Sequence, residues 1–264
     1  MGCLSHPGGE KKTIEEEEKS AELVGAEATR FRAVAARANY LAADRPDIQY
    51  AVKEICRKMS GPVHGDWQKL VRLGRYLKGA PRCVLEYRWQ GRCRSPSGYS
   101  DSDWAGDKTT GKSTSGGLVM VGGHLVKSWS RTQDSVTLSS AEAELVALGK
   151  LAMEMLGIRS MTQEWGITED APSQLYADAS AALSIAKRQG AGKMRHINVK
   201  SLWLQEKEVQ RVLDYIKIKG EENPSDGLTK HVRQELAAKY AKTVNLRLGT
   251  DRASTGLQLA GRSQ

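Results

Sequence analysis

The stretch GYSDSDWAG, Gly98 to Gly106, decides how the chain is read. It ends a short β-like run on two aspartates one residue apart, with Trp104 directly behind. Aspartate is a poor strand former, and a Gly/Ser-rich setting gives it little to pack against. Either Asp101 and Asp103 decorate a turn, or negative charge is held rigidly at a strand end.

Around this stretch the pattern is rich in strands. GYSD is followed by GGLVMVGG and HLVKSWSR, with Gly122–Gly123 as a hairpin signal between the last two. A long helix is predicted from about Ser140 to Gly157. Then come a strand at SQLYAD, a helix at SAALSIAKR, a further helix ending near Glu208, a strand at VLDYIKIK and a last helix after NPSD. A three-strand meander followed by helix–strand–helix–strand–helix predicts an α/β (mixed α+β) fold, a mixed sheet with helices packed on it.

Upstream the periodicity is helical. Phe31, Val34, Ala35, Ala38 and Leu41 share one face, RPD at 45–47 breaks and restarts the chain, and Ile48, Val52, Ile55 and Met59 continue it. In DWQKLVRLGRYLK, residues 66–78, the spacing puts Trp67, Leu70, Val71, Gly74 and Leu77 on one face. Lys69, Arg72 and Arg75 then lie on the other, a basic face suited to phosphates or to solvent. VLEYRW, residues 84–89, reads as a strand. The expected division is a disordered acidic tail over 1–27, a basic helical segment over 28–95, the mixed-sheet domain over 96–248 and a disordered tail over 249–264.

The net charge of the 264 residues is +9. Residues 30–94 carry 15 Lys and Arg against 5 Asp and Glu, a net +10, so the rest sums to −1. Polyanion binding is therefore expected of the first part. No run approaches the roughly 18 apolar residues of a membrane span. The four cysteines form no metal spacing and fit a reducing, intracellular setting.

The long helix begins LSSAEAELVAL. Ser139 and Glu142 match a capping box, which gives Glu142 a structural role. Glu144 instead heads the stripe Leu148, Leu151 and Met155, where a carboxylate loses hydration unless a cation meets it. Asp178 ends the strand QLYAD and also suits a helix N-cap. Asp226, in NPSDGLTK, is expected in the first turn of the last helix, where the helix dipole favours it. Asp101, Glu144, Asp178 and Asp226 are 43, 34 and 48 residues apart. In a mixed α/β sheet, adjacent strand ends and a helix start can converge on one edge, and carboxylates crowded there cannot all stay ionised without cations. Oxygen ligands without His or Cys favour Mg²⁺ or Mn²⁺, and two such ions about 4 Å apart serve phosphodiester hydrolysis.

These residues lie in a series of motifs: ADRPDIQYAVKEICRKMSGP, HGDWQKLVRLGRYLKG, GYSDSDWAGDKTTGKSTSGG, VKSWSRTQDSVTLSSAEAEL, LYADAS, MRHINVK and NPSDGLTK. In that order, from about Ala28 to His231, the chain resembles the C-terminal part of a copia-type LTR retrotransposon polyprotein, the end of the reverse transcriptase followed by the ribonuclease H domain. The resemblance implies a ribonuclease H-like five-stranded mixed sheet flanked by helices. It also implies cleavage of the RNA strand of RNA–DNA hybrids with two divalent ions. The family's acidic set falls on Asp101, Glu144, Asp178 and Asp226, with Asp103 and His196 as reserve candidates.

Lys69, Arg72, Arg75, Arg195 and Lys200 are the candidate nucleic-acid contacts, and the upstream reverse transcriptase region is a candidate partner. The sequence departs from the family at Ala179, where Asn is usual after the third acid. It also has no histidine shortly before the last acid, where many cellular ribonucleases H carry one. No YxDD-like polymerase motif occurs, so DNA synthesis is not expected. A binding remnant without strong catalysis is the alternative reading.

Overall fold

The computed structural model describes residues 21–190 and 199–251. Its centre is the strand TSGGLVMV, β3 (Thr114–Val121), every residue of which is buried. Alternation explains this, because successive side chains leave opposite faces of a strand. Val119 joins the core beneath the long helix, whereas Leu118 and Met120 join a second cluster with Leu228, Val244 and Leu246 on the other face. A strand covered on both sides reads as a continuous apolar run.

β3 pairs antiparallel with β2 (Pro96–Asp103) and with β4 (His124–Thr132). The two-residue loop Gly122–Gly123 joins β3 to β4, and Gly122 has φ +58°. A positive φ at the first central position is the II′ geometry whose twist suits a hairpin. On its other edge β2 pairs parallel with β5 (Ser173–Ala177), which pairs parallel with β6 (Leu213–Lys217). The order β4-β3-β2-β5-β6 is the expected five-stranded mixed sheet.

The parallel pairings require crossovers, and helices supply them. The first, α4 (Ser140–Glu164), is capped by Ser139, whose side chain accepts from Glu142 N at 3.2 Å. Glu142 in turn accepts from Leu138 N at 2.7 Å. Leu148, Leu151, Ala152 and Met155 face the sheet with no solvent exposure. α5 (Ser180–Lys187) and α6 (Val199–Val209) make the second crossover.

The first part folds as α1 (Gly25–Leu41), a 3₁₀ turn (Pro46–Ile48), α2 (Gln49–Cys56) and α3 (His64–Gly79) around a separate core. The expected faces of α1 and α2 largely hold, with Phe31, Ala35, Ile48, Val52 and Ile55 buried, although Leu41 is exposed. The buried face of α3 is rotated. Leu73 and Tyr76 are inside, while Gly74 and Arg75 are exposed. The cause is polar: Arg45 forms a two-pronged pair with Asp47 at 2.8 and 2.7 Å, and Tyr76 donates to Asp47 at 2.8 Å, all buried.

Three boundaries differ from the sequence expectation. α1 starts at Gly25 and Leu23 is buried, so regular structure begins before residue 28. β1 (Arg82–Leu85) is shorter and earlier than 84–89, because it pairs with a C-terminal strand, β7 (Leu246–Gly249), leaving Trp89 exposed. NPSD does not open the last α-helix. Residues Pro224–Leu228 form a 3₁₀ turn, and α7 runs from Gln234 to Thr243.

α2 docks the helical part against the sheet. Lys53 Nζ donates to Thr114 Oγ1 at 2.6 Å, Gln49 to Ser128 O at 3.3 Å, and the Tyr50 and His231 rings meet edge-on at 5.0 Å. Among the described residues no helix is long and apolar enough to cross a membrane.

Candidate active site

β2 and β5 run in parallel, so Asp101 and Asp178 emerge at the same end of neighbouring strands. Glu144 reaches that end from the second turn of α4. Carboxylate oxygens of Asp101, Glu144 and Asp178 all lie within 4.8 Å of one another. Ser102 N donates to Glu144 Oε1 at 3.2 Å, and Glu144 Oε2 is buried without a hydrogen-bond partner. A helix N-cap role for Asp178 is not what the backbone shows, since Ala179 occupies that position.

Asp226 arrives from a different direction. Asn223, with no exposed surface, donates from Nδ2 to Ser100 O at 2.9 Å and accepts from Ser225 N at 3.2 Å. That clamp fixes the 3₁₀ turn against β2 immediately beside Asp101. Gly116 of β3 allows the approach. A Cβ there would lie 2.7 Å from Thr229 Cγ2, 2.8 Å from Leu228 Cβ and 3.0 Å from Ser225 O. Asp226 is thus next to the cluster without being one of its three members, and Lys230 Nζ stands 2.8 Å from its Oδ1.

The electrostatics follow from burial and crowding. Burial, then the charges of Asp101 and Asp178, pushes Glu144 up to about 9. Burial, then the charge of Asp226, pushes Asp101 up to about 6, while a hydrogen bond from Thr229 Oγ1 opposes the rise. Asp178 is raised by burial and by Asp101. Burial disfavours the charge on Lys230, but Asp226, Asp101 and Asp178 hold its pKa above the ordinary lysine value. Three carboxylates, one with an orphaned oxygen, fit a hard divalent cation held by oxygen ligands.

The other candidates are distributed differently. Asp103 lies outside this group: its carboxylate accepts from Thr114 N, and burial pushes it up to about 6. Lys69 pairs with Asp66 in its own helix at 3.0 Å. Arg72 is half-buried and Arg75 exposed on α3, whereas α2 is the helix packed against the 3₁₀ turn bearing Asp226. Arg195 and His196 lie outside the described residues, and of Lys200 only the backbone, in α6, is described.

Four residues at the site were not singled out from sequence: Asn223, Thr229, Lys230 and Lys217, whose Nζ donates to Asp178 O. One signal was available, since Asp226 and Lys230 have the i,i+4 spacing of a local ion pair.

No family model matches the chain. It is 31% identical over 219 residues to the retrovirus-related Pol polyprotein from transposon RE1 of Arabidopsis thaliana, covering 83% of this chain and 15% of that one. It is 32% identical over 189 residues to the retrovirus-related Pol polyprotein from transposon TNT 1-94 of Nicotiana tabacum, covering 71% and 14%. The chain therefore spans about one-seventh of the length of these relatives. Among solved structures, LC11-RNase H1, isolated from compost by a metagenomic approach, aligns with 97% of its chain and 55% of this one, at 18% identity and a TM-score of 0.39. With most of its length matched to them, the chain belongs to the retrovirus-related Pol polyproteins of transposons.

Proposed function

We propose that this segment is a metal-dependent endoribonuclease of ribonuclease H type, cutting the RNA strand of RNA–DNA hybrids. The observation that carries the proposal is the meeting of Asp101, Glu144 and Asp178 within 4.8 Å, beside Asp226, at one end of β2 and β5. Crowding acidic groups costs stability, and a protein that only bound a phosphate backbone would gain nothing from it.

In this reading Asp101, Glu144 and Asp178 would hold a first Mg²⁺ or Mn²⁺, and Asp226 with Asp101 would hold a second. When bound, such ions supply a nucleophile at neutral pH and neutralise charge developing on the phosphate. The chain's own work is positional. Thr229 favours the ionised form of Asp101 by donating to it, against the burial that disfavours it. Ser102 N orients Glu144. Lys217 and Lys230 add positive charge around Asp178 and Asp226. Lys69, Arg72, Arg75, Arg195 and Lys200 are proposed to track phosphates, and RNA 2′-hydroxyls to distinguish the two strands. The upstream reverse transcriptase region remains a proposed partner of the helical part.

The test is cleavage of an RNA–DNA hybrid, duplex RNA and duplex DNA, each labelled on either strand, in Mg²⁺. Cuts confined to the RNA strand of the hybrid, and lost in Asp101→Asn and Asp178→Asn, are expected. A second reading, a binding remnant, draws on Ala179 and on the Lys230–Asp226 pair. It prevails if the folded chain binds the hybrid and cuts none of the three.

A further inference from the structure

Asp226 differs from the other three acids in being paired with a cation that belongs to the chain. Lys230 Nζ is 2.8 Å from Asp226 Oδ1, one helical turn along. The backbone holds it there, because Thr229 N and Lys230 N each donate to Asp226 O at 3.2 Å. The same turn sends Thr229 Oγ1 to Asp101. One short loop therefore delivers a hydroxyl to the first acid and an ammonium to the last. The Lys230 side chain keeps 53% of its surface exposed, against 11% for Asp226, so the ammonium has an open path into water.

We propose that Lys230 is a built-in cation of this site, competing with a second divalent ion for Asp226, so that metal enters in two unequal steps. The inference rests on the metal-dependent reading above. Two cations that share a carboxylate oppose each other's binding, and the opposition is reciprocal. The group of Asp101, Glu144 and Asp178 has no ammonium on its carboxylates among the described residues, since Lys217 Nζ donates to the backbone oxygen of Asp178. The first ion would meet three carboxylates that carry no ammonium. The second must displace Lys230.

Lys230 would then set the metal concentration at which the site fills. At low metal the ammonium neutralises Asp226. At high metal it swings into solvent, beside the phosphates of a bound duplex.

The experiment is a titration of the full 264-residue chain, stripped of metal, with Mn²⁺ alone, read by electron paramagnetic resonance of the free ion. Wild type is expected to show one tight and one weak binding class, the weak one at least about tenfold weaker. Lys230→Met should tighten the weak class by about tenfold or more, leaving the tight class within about threefold. Lys230→Arg, which keeps the charge, should behave as wild type. Lys217→Met removes a nearby charge without touching Asp226 and should leave the weak class in place. Melting curves of each variant check that it is folded.

The proposal is overturned if folded Lys230→Met leaves the weak class unchanged or weakens it, or if wild type binds two ions equally. If Asp101→Asn abolishes the tight class while Lys230→Met changes nothing, only the Lys230 inference fails. If wild type binds no Mn²⁺, or Asp101→Asn binds it as wild type does, the metal-dependent reading fails and takes this inference with it.

Discussion

Thr229 Oγ1 donates a hydrogen bond to Asp101 Oδ2 across 128 positions of sequence, inside the protein. The contact ties the 3₁₀ turn carrying Asp226 to the strand carrying Asp101. It also favours the ionised form of an aspartate whose burial favours the neutral one. Thr229→Val removes the donor while keeping the shape. Asp101 should then titrate above about 6, and the acidic limb of the pH–rate profile should move to higher pH. Leaving Asp101 Oδ2 without its donor should cost about 1–3 kcal/mol, measured by urea unfolding. Thr229→Ser should recover most of both effects.

Glu144 makes the metal-free fold sensitive to alkali. Its folded pKa, about 9, lies above its unfolded value, so its contribution to stability is present in acid. That contribution is lost as pH rises through the carboxylate range toward 9. Glu144→Gln keeps the volume and removes the ionisation. Without metal at pH 8 the variant should exceed wild type by on the order of 2 kcal/mol, and the two should match near pH 4. Added Mg²⁺ should stabilise wild type at pH 8 and leave the variant nearly unchanged, as followed by thermal melting. Equal metal-free stability at both pH values would count against a buried, ionisable Glu144.

Gly116 lets the Asp226 loop lie directly on β3. Gly116→Ala would press a methyl group against Thr229, Leu228 and the Ser225 carbonyl, two of them at under 3.0 Å. Overpacking of this kind costs about 1–3 kcal/mol. Because the loop carries Asp226 and Thr229, Mn²⁺ affinity should fall as well. A folded variant with unaltered Mn²⁺ binding would show that the loop does not position the site.

The helical part has its own polar keystone. Asp47 accepts from Arg45 and Tyr76, and Arg45 Nη1 donates to Ala80 O at 3.1 Å, with Arg45 and Asp47 both buried. Asp47→Asn leaves the Arg45 guanidinium buried without its counter-charge, which should cost about 3–5 kcal/mol. Denaturant melts will show whether the loss spreads to the sheet, as the docking of α2 implies.

Much of this architecture was legible because it is periodic. The stripe Leu148, Leu151, Met155 identified the buried face of α4, and Glu144 at its head identified the buried carboxylate. Gly122–Gly123 marked the hairpin. What escaped depends on contacts made far along the chain. β7 is only four residues long and forms because β1 is there to pair with it. NPSD carries Asn223 as a cap and Pro224 at the first turn, both ordinary helix-start signals. Yet the turn stops at Leu228, where Asn223 and Thr229 are already engaged with Ser100 and Asp101. Tertiary hydrogen bonds overrode a local signal there. The approach of Lys230 to Asp226 follows from spacing alone, but its place beside Asp101 and Asp178 does not.

The carboxylates of Asp101, Glu144 and Asp178 are proposed to form a divalent-cation site. Crystals equilibrated with Mn²⁺ and measured near the manganese absorption edge test it most directly. An anomalous peak is expected about 2.0–2.3 Å from oxygens of all three residues, a distance typical of hard-cation coordination. Manganese bound elsewhere on the protein, with no peak among these three side chains, would contradict it.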